Sequence, residues 1–340
     1  MWGKGTMETK KTKKGLIIFF IILSIILIIC GVVVYYVHSK IDNINYEEID
    51  KDDLDVNVNL YEEIIEEADI TEEEFKDIVN IAFFGSDSRD VNNEYAGRSD
   101  SIMIASINPV KKSIKLISIP RDTYVSVPGG YGWTKINHAY AYGKEQLSIK
   151  TINSNFGLDI TEYVTIDFSG LVNIINDVGG IELEINEAEK NYINNRCIES
   201  YRLTGNPVKY LSSSGKVTLT GEQALTHSRN RTVGNDFERA SRQRDVLVAL
   251  INKISKMDET KILSLVDVFL KEVKTNVNVT SYLGLLTSVI SNKDEYLNNI
   301  ISAQIPSEEY ASGQMIDGIY YFVADLSRCK QEFVKYLYDM

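Results

Sequence analysis

The longest uninterrupted apolar run of the chain lies near its N-terminus. Residues 15–37 read GLIIFFIILSIILIICGVVVYYV, which is 23 residues without a charged side chain. As a helix this run would extend roughly 35 Å, enough to cross the hydrocarbon core of a bilayer with some tilt. Five lysines precede it and acidic residues follow it, so the positive-inside rule places the N-terminus in the cytosol. The pattern predicts a basic cytoplasmic tail over residues 1–14, a single transmembrane helix over residues 15–37, and an extracytoplasmic remainder.

A cleaved signal peptide or a lipoprotein signal could also contain such a run. The run is too long for the apolar region of a signal peptide, and no small-x-small cleavage site follows it. Cys30 stands after two isoleucines and before further apolar residues, which does not suit lipidation. A retained single-pass anchor is therefore the favoured interpretation.

The segment that follows the apolar run is strongly acidic. Residues 41–80 contain 16 Asp and Glu residues against Lys51 and Lys76 alone. The whole chain has a formal net charge of −12, so this segment accounts for the acidity and the rest is close to neutral. We interpret residues 38–79 as a solvated stalk that holds a folded domain away from a negatively charged surface.

From residue 80 onward, short β-branched or aromatic runs alternate with amphipathic stretches. The predicted strands lie at residues 81–84, 101–107, 114–119, 163–166 and 181–185. The predicted helices lie at residues 144–156, 169–178, 237–257, 282–290 and 324–338. Strands that alternate with helices are typical of an α/β fold. We therefore predict one domain over residues 80–340, a three-layer α/β/α sandwich around a central mixed sheet.

Composition indicates an ordinary globular domain. Apolar residues make up 44% of the chain and charged residues 25%, which excludes global disorder, collagen and small disulfide frameworks. Three cysteines are too few for such a framework, and whether Cys197 and Cys329 pair is left open. The sequence also lacks the Cys/His spacing of zinc sites, a Gly-x-Ser-x-Gly motif and a Walker-type glycine loop. Zinc enzymes, serine hydrolases and NTPases therefore have no support.

The distribution of arginine is the clearest indication of chemistry. The chain has 25 Lys but 11 Arg, and eight of these arginines fall in four short segments. The segments are Gly85-Ser86-Asp87-Ser88-Arg89, Arg98-Ser99-Asp100, Ser118-Ile119-Pro120-Arg121-Asp122 and Arg229 to Arg244. Arginine has a planar fork of donors that binds phosphate or carboxylate oxygens in a bidentate manner, which lysine cannot do. The bias therefore predicts one binding site for a polyanion.

The predicted elements would bring these segments together. Arg121 and Asp87 each follow a predicted strand, and ligand sites in α/β sheets gather beyond the carboxyl ends of strands. Arg239 and Gln243 are four residues apart in a predicted helix, so they share one face of it. Asp87 and Asp100 add hard oxygen ligands of the kind that Mg²⁺ uses together with substrate phosphates. The implied ligand is a diphosphate bound partly by arginines and partly by a metal ion.

Each of these residues could instead have a purely structural role. Arg98 could pair with Asp100 on the surface, and Asp122 could be a turn residue. His138 and His227 are more often packing or hydrogen-bonding residues than ligands. The site hypothesis therefore requires that the charged side chains converge.

Read in order, these segments resemble the LytR-CpsA-Psr family. The resemblance rests on the four arginine-containing segments, on Lys135-Ile136-Asn137 followed by Ala139-Tyr140, and on Leu219-Thr220-Gly221-Glu222-Gln223-Ala224-Leu225. It extends from about residue 81 to residue 250, and the ordered set is specific although no single segment is. Two departures occur: Gly143-Lys144 stands where the family has paired glycines, and His227-Ser228 replaces an aromatic residue.

The resemblance implies a membrane-anchored phosphotransferase outside the cytoplasmic membrane, found mostly in Gram-positive bacteria. Members of the family move a glycopolymer, such as teichoic acid or capsule polysaccharide, from an undecaprenyl-diphosphate carrier onto peptidoglycan. Their domain holds the polyprenyl chain in an apolar pocket with the diphosphate at its mouth. By matching motifs, the residues that would bind Mg²⁺ or Mn²⁺ are Asp87 and Asp100. Those that would bind the diphosphate are Arg98, Arg121, Lys135, Arg229, Arg231, Arg239 and Gln243.

The chemistry that we expect is attack by a peptidoglycan sugar hydroxyl on the sugar-proximal phosphorus, with undecaprenyl phosphate leaving. Arg121 would stabilise charge on the phosphoryl oxygens. Asp122 is the candidate general base, and deprotonation by the substrate or by solvent stays open. A phosphohydrolase would use the same site with water as nucleophile, and a non-catalytic lipid-binding scaffold would need the apolar pocket alone. A nucleic-acid-binding regulator is disfavoured because the predicted cytosolic part is only residues 1–14.

Overall fold

The computed structural model describes residues 45–65, 70–86, 97–230, 236–258, 261, 265, 268–269 and 271–338. The predicted cytoplasmic tail, the transmembrane helix and the first part of the stalk lie outside the described residues, as do Asp87 and Arg231 of the predicted site. Within these ranges, no helix is both long and apolar enough to cross a membrane.

The domain contains both strands and helices, as the hydrophobic pattern predicts, although several strands follow one another directly. The strands are β1 Asn45–Tyr46, β2 Val79–Ser86, β3 Ser99–Asn108, β4 Ser113–Ser118, β5 Tyr124–Val127, β6 Gly132–Lys135, β7 Glu162–Asp167, β8 Ile181–Ile185, β9 Gly215–Leu219, β10 Val273–Thr275, β11 Ile300–Gln304, β12 Ala311–Ile316 and β13 Ile319–Ala324. The α-helices are α1 Leu60–Ile64, α2 Glu72–Asp77, α3 Ile136–Phe156, α4 Phe168–Asp177, α5 Glu187–Thr204, α6 Gly221–Ser228, α7 Asp236–Ser255, α8 Leu283–Ser291, α9 Lys293–Asn298 and α10 Leu326–Tyr338. Each of the strands and helices predicted from the sequence is present.

The central sheet is mixed, which confirms that part of the predicted fold. Its strand order is β1-β10-β7-β2-β3-β4-β11. β2 pairs in parallel with β7 and antiparallel with β3, and β3 pairs antiparallel with β4. The carboxyl ends of β2, β4 and β7 therefore lie at one edge of the sheet, where β3 begins. β8 and β9 pair with each other outside this sheet.

Helices pack on both faces of the central sheet. On one face, Ala82 of β2 lies in a buried cluster with Ile149 of α3 and Phe333 of α10. On the other face, Phe83 lines a cavity together with Val246 of α7. Because neighbouring side chains of a strand point to opposite faces, β2 contributes to both layers.

The stalk prediction is wrong for the described residues that precede β2. Leu54, Leu60 and Ile64 are buried in the same cluster as α3 and α10, and β1 pairs with β10 at the edge of the sheet. Asn153 of α3 donates a hydrogen bond from Nδ2 to the Leu54 carbonyl at 3.0 Å. Apolar residues spaced among many acidic ones cover one side of the core while the carboxylates stay in water. The compact unit therefore begins at Asn45 rather than at residue 80.

The two cysteines of the domain do not pair. Cys329 of α10 lies in a buried cluster that also includes residues of α3. Cys197 of α5 lies in a second buried cluster with residues of α4, α6 and α7. Both cysteines are free. Burial raises the pKa of the Cys329 thiol to about 12, so this side chain stays in the unreactive thiol form.

Helix α3 is interrupted at Gly143 and Lys144, where the family resemblance leads to the expectation of two glycines. Lys144 has φ 51° and ψ −143°, a backbone conformation that favours glycine. The backbone of Lys144 is therefore strained.

We expect Lys144→Gly to have a free energy of unfolding about 1 kcal/mol larger than that of Lys144→Ala. Both variants remove the same side chain, but only glycine relieves the backbone. Chemical denaturation of the two variants measures the difference. Identical midpoints would show that the backbone at this position is not strained.

Candidate active site

The charged segments meet at the edge of the sheet where β2 and β4 end and β3 begins. Asp100 is the second residue of β3, and Arg121 follows β4 after a short turn. Arg121 Nη1 donates to Asp100 Oδ1 at 2.6 Å. The Asp100 side chain is still 27% exposed, so it pairs with Arg121 and also faces open space. The structure thus brings these two predicted segments together.

A second ion pair extends this cluster to β6. Lys135, the last residue of β6, donates from Nζ to Asp122 Oδ1 at 2.6 Å, and Arg121 Nε lies 3.4 Å from Asp122 Oδ2. The Asp122 side chain is 9% exposed. Burial alone would raise the pKa of this carboxyl, but the Lys135 hydrogen bond and the charges of Arg121 and Arg239 outweigh burial and leave the pKa below its ordinary value. Asp122 is therefore ionised at neutral pH, with both oxygens facing cations.

Helix α7 and the end of α6 supply further polar groups to the site. Arg239 and Gln243 lie one turn apart on α7, and Gln243 Nε2 donates to the Asp100 carbonyl at 3.4 Å. Arg229 directly follows α6, and its guanidinium carbon lies 5.0 Å from the centre of the Phe168 ring. Asp100, Arg229, Arg239 and Gln243 line one cavity of about 210 Å³, which we call the charged cavity. Four of the predicted site residues therefore share a single space.

Arg98 directly precedes β3, and its positive charge is one of the influences on the pKa of the neighbouring His138. Burial is the main cause that lowers the pKa of His138 to about 4, and the charges of Arg98 and Lys135 lower it further. His138 Nδ1 lies 2.8 Å from Thr134 Oγ1, within hydrogen-bond distance. His138 is therefore neutral at physiological pH, in agreement with a packing role.

An apolar cavity opens beside the charged one. It has a volume of about 70 Å³ and lies between the sheet and α7. Its apolar lining includes Phe83, Met103, Ile166, Leu171, Val246 and Leu247. Phe168, Ser228 and Gln243 line both this cavity and the charged cavity. A ligand with an anionic head group and an apolar chain needs a charged cavity next to an apolar one, as found here.

Comparison with known proteins agrees with this geometry. The family model described as the LytR_cpsA_psr family matches residues 32–335. The chain belongs to the LytR-CpsA-Psr family. The polyisoprenyl-teichoic acid–peptidoglycan teichoic acid transferase TagU of Enterococcus faecalis is 31% identical over 288 residues, which cover 82% of this chain and 78% of that protein. TagU of Bacillus mycoides is 32% identical over 323 residues, which cover 93% of this chain and 95% of that protein.

The fold of this LytR-CpsA-Psr protein also matches solved structures. A structure of TagT bound to LI-WTA superimposes with a TM-score of 0.60 at 26% sequence identity. The match covers 80% of this chain and 93% of that chain. The mixed sheet and its flanking helices are therefore the family fold.

Of the two predicted metal ligands, Asp100 lies among the described residues. Asp100 is partly exposed and lines the charged cavity. Within the described ranges, no group of three or more His, Cys, Asp or Glu side chains could hold a metal ion. Mg²⁺ needs only one or two carboxylates, because it keeps water and takes phosphate oxygens from a substrate. Asp100 therefore fits a Mg²⁺ ligand, and the role of Asp87, outside the described residues, stays a prediction.

Two arginines of the last arginine-rich segment point away from the site. Arg242 Nε donates to Glu189 Oε1 of α5 at 2.8 Å, and both side chains are nearly buried. Arg244 Nε donates to Ser302 Oγ of β11 at 2.8 Å. Successive residues of a helix are rotated by about 100°, so α7 can present Arg239 to the cavity and Arg242 to α5. Arg242 and Arg244, which are not among the residues assigned to the diphosphate, therefore have structural partners instead.

The C-terminal hairpin β12–β13 also contributes to the site, which its sequence did not indicate. A second cavity of about 230 Å³ is lined by Arg121, Asp122, Arg239, Glu308, Tyr320 and Phe322, among others. Phe322 N donates to the Asp122 carbonyl at 2.9 Å, which places β13 against the loop after β4. The run IYYFVA at residues 319–324 has the composition of a strand. The strand could therefore have been predicted, although its position beside the site could not.

Proposed function

We propose that this protein transfers a glycopolymer of the teichoic-acid type from an undecaprenyl-diphosphate carrier to peptidoglycan and releases undecaprenyl phosphate. The observation that carries the proposal is the charged cavity that shares Phe168, Ser228 and Gln243 with an apolar cavity. The names of the two TagU relatives support it, since they describe a teichoic acid transferase between polyisoprenyl-teichoic acid and peptidoglycan.

In this proposal the diphosphate lies in the charged cavity. Arg229 and Arg239 line it directly, and Arg121 adjoins it through the ion pair with Asp100. Arg239 is buried, so its charge acts in surroundings of low dielectric, where it binds an anion more strongly than it would in water. Further diphosphate contacts are assigned to Gln243 and, by motif, to Arg98, Lys135 and Arg231.

The polyprenyl chain would enter the apolar cavity. Its volume of about 70 Å³ is well below the roughly 300–1,000 Å³ that is usual for ligand pockets. A long chain therefore requires α7 to move away from the sheet. Burial of the chain, at about 0.8 kcal/mol per CH₂, would drive this opening. Such binding energy positions the diphosphate but does not by itself lower the chemical barrier.

The reaction that this arrangement supports is a phosphoryl transfer. A hydroxyl oxygen of the acceptor glycan forms a bond to the sugar-proximal phosphorus, and the bond from that phosphorus to the bridging oxygen breaks. Undecaprenyl phosphate leaves with the bridging oxygen, and the hydroxyl proton passes to a base or to solvent. Arg121 and Arg239 would stabilise the charge on the phosphoryl oxygens. A Mg²⁺ or Mn²⁺ ion held by Asp100 and Asp87 would neutralise more of the negative charge of the diphosphate.

Asp122 is placed to hold Arg121 and Lys135 rather than to accept a proton. Its lowered pKa makes it a weak base throughout the neutral range. We expect Asp122→Asn to slow transfer about tenfold, because the two cations lose their orientation. The rate between about pH 5 and 8 should keep the same profile, because the carboxyl of the parent protein does not titrate there. Single-turnover rates across this pH range measure both quantities.

A different outcome would support Asp122 as the general base. If Asp122 is the general base, the transfer rate of the asparagine variant should fall about a thousandfold or more, and its pH dependence should change. Ser126→Ala, which changes a partly exposed residue of the neighbouring strand β5, serves as the control for local disturbance.

Product analysis tests the proposed function. The full-length chain is incubated with a polyprenyl-diphosphate-linked saccharide, peptidoglycan fragments and Mg²⁺. Saccharide phosphate attached to the glycan supports the transferase. Free saccharide phosphate alone would identify a phosphohydrolase, and lipid binding without either product would identify a scaffold.

We further propose that residues 15–37 anchor the protein in the cytoplasmic membrane of a Gram-positive bacterium, with the domain on the outer side. The apolar run and the lysines that precede it support this orientation. The proposed acceptor also lies outside that membrane. Labelling of intact cells with a membrane-impermeant reagent would reach the domain only in this orientation.

A further inference from the structure

The proposed phosphoryl transfer needs two substrates, and the site has two cavities that meet at Arg239. The charged cavity, with Asp100 and Arg229, adjoins the apolar cavity. The second cavity lies beside Arg121 and Asp122. Arg239 lines both. Attacking and leaving groups lie roughly in line across a transferred phosphorus, so a cavity on the other side of the shared arginine is placed for the acceptor.

A row of aromatic side chains leads from the protein surface to this second cavity. The ring centre of Tyr124 lies 5.3 Å from that of Trp133 and 4.7 Å from that of Tyr321. Lys135 Nζ lies 5.9 Å from the ring centre of Tyr321 and 6.0 Å from that of Tyr320. Tyr320 in turn lines the second cavity. We call Trp133, Tyr124, Tyr321 and Tyr320 the aromatic row.

The two ends of the aromatic row are open to solvent. Trp133 is 54% exposed and Tyr320 is 43% exposed, whereas Tyr321 between them is buried. Trp and Tyr each combine an apolar ring face with a polar group. A pyranose ring has the matching character, with C–H groups on its faces and hydroxyls around its edge. The exposed rings at the two ends of the row therefore have the chemistry of a saccharide-binding surface.

The surroundings of the row distinguish a glycan from a lipid chain. Lys135 and Asp122 lie beside it, and Glu308 and Ser312 line the cavity at its inner end. These groups can hydrogen-bond to hydroxyl and amide groups, whereas a hydrocarbon chain would leave them desolvated and unsatisfied. The apolar cavity beside α7 offers the lipid a separate place.

We propose that the aromatic row and the second cavity bind the acceptor glycan strand of peptidoglycan. Its sugar rings contact the exposed rings of Trp133 and Tyr320, and the reacting hydroxyl lies in the cavity beside Arg121. The proposal rests on the proposed transferase function and assigns its acceptor site. It gives the hairpin β12–β13 a role in acceptor binding that is separate from binding of the lipid diphosphate.

Tryptophan fluorescence can test binding without any turnover. The sequence has two tryptophans, Trp133 and Trp2, so emission from full-length protein carrying Trp2→Phe reports on Trp133 alone. We expect peptidoglycan disaccharide-peptide fragments to cause a saturable emission change. Tyr320→Ala should weaken this binding about tenfold through the loss of one ring contact. Tyr210→Ala, which removes a 60% exposed tyrosine from another part of the surface, should leave it unchanged.

Transfer kinetics provide the second test. Trp133→Ala and Tyr320→Ala should raise the KM for the peptidoglycan acceptor about tenfold, with no change in affinity for the polyprenyl-diphosphate donor. Trp133→Phe should retain most of the acceptor affinity, since it keeps an aromatic face.

Three results would overturn the assignment or separate it from the proposed function. An emission change caused by the lipid-free donor saccharide but not by peptidoglycan fragments would assign the row to the donor. An acceptor KM that is unaffected by Trp133→Ala and Tyr320→Ala would also refute the acceptor site. Saturable peptidoglycan binding in a protein that transfers nothing would instead uphold the binding site and refute the transferase.

Discussion

Replacing Arg121 with alanine should lower the rate of transfer by roughly a hundred- to a thousandfold, the usual effect of removing one donor that stabilises transition-state charge. Arg121 lies between the carboxylates of Asp100 and Asp122, 2.6 Å and 3.4 Å from them. Its guanidinium therefore lines the second cavity and pairs with Asp100, which lines the charged cavity. Single-turnover transfer from a polyprenyl-diphosphate-linked saccharide measures the effect.

Two matched variants make this result interpretable. Arg121→Lys keeps the charge but loses the planar fork, so its rate should lie between those of the parent protein and the alanine variant. Arg202→Ala removes an exposed arginine from the last turn of α5 and should leave the rate unchanged. Thermal unfolding of Arg121→Ala checks that the domain still folds. Turnover equal to that of the parent protein would refute the proposed site.

Placing a carboxylate in the wall of the apolar cavity should abolish most binding of the lipid donor. Leu247 of α7 lines this cavity and is half-buried, so Leu247→Glu should be tolerated by the fold. An ionised carboxylate against a hydrocarbon chain loses its hydration, which costs several kcal/mol. We expect affinity for polyprenyl diphosphate to fall at least about a hundredfold, as measured by titration calorimetry.

The adjacent residue of the same helix provides the control. Val248 is also half-buried but lines a different cavity, together with residues of β8 and β9. Val248→Glu should therefore leave lipid affinity nearly unchanged. Inorganic pyrophosphate should bind both variants equally, since it contacts only the charged cavity. Equal loss of lipid affinity in both variants would show that the apolar cavity does not hold the chain.

The local hydrophobic pattern was sufficient to predict most of the secondary structure. The strands β2, β3, β4 and β7 are short β-branched runs between turns, and the long helix α7 has regular apolar spacing. These features depend on neighbours within a few residues, which is the range over which hydrophobic periodicity acts. The expectation that the charged segments would meet at one edge of the sheet had the same origin, because ligand sites in α/β sheets gather beyond the carboxyl ends of strands.

The stalk shows where local pattern fails. Residues 45–78 are dominated by acidic side chains, and composition favoured a solvated segment. A few apolar side chains, such as Leu54 and Leu60, nevertheless lie in the core. Burial of a small number of residues depends on whether a matching surface exists elsewhere in the domain, which net charge does not reveal.

The sequence by itself determined the composition of the site: arginine reserved for a few segments, two aspartates in their midst, and apolar strands that carry these segments to one edge. Only the tertiary structure decided which members face the ligand. Rotation along α7 directs Arg239 to the cavities and Arg242 to Glu189. Pairing between Thr123 and Phe322 brings the C-terminal hairpin beside Arg121 and Asp122. Such contacts join residues far apart in the chain, and their free energy depends on the packing of the whole domain rather than on any local run of sequence.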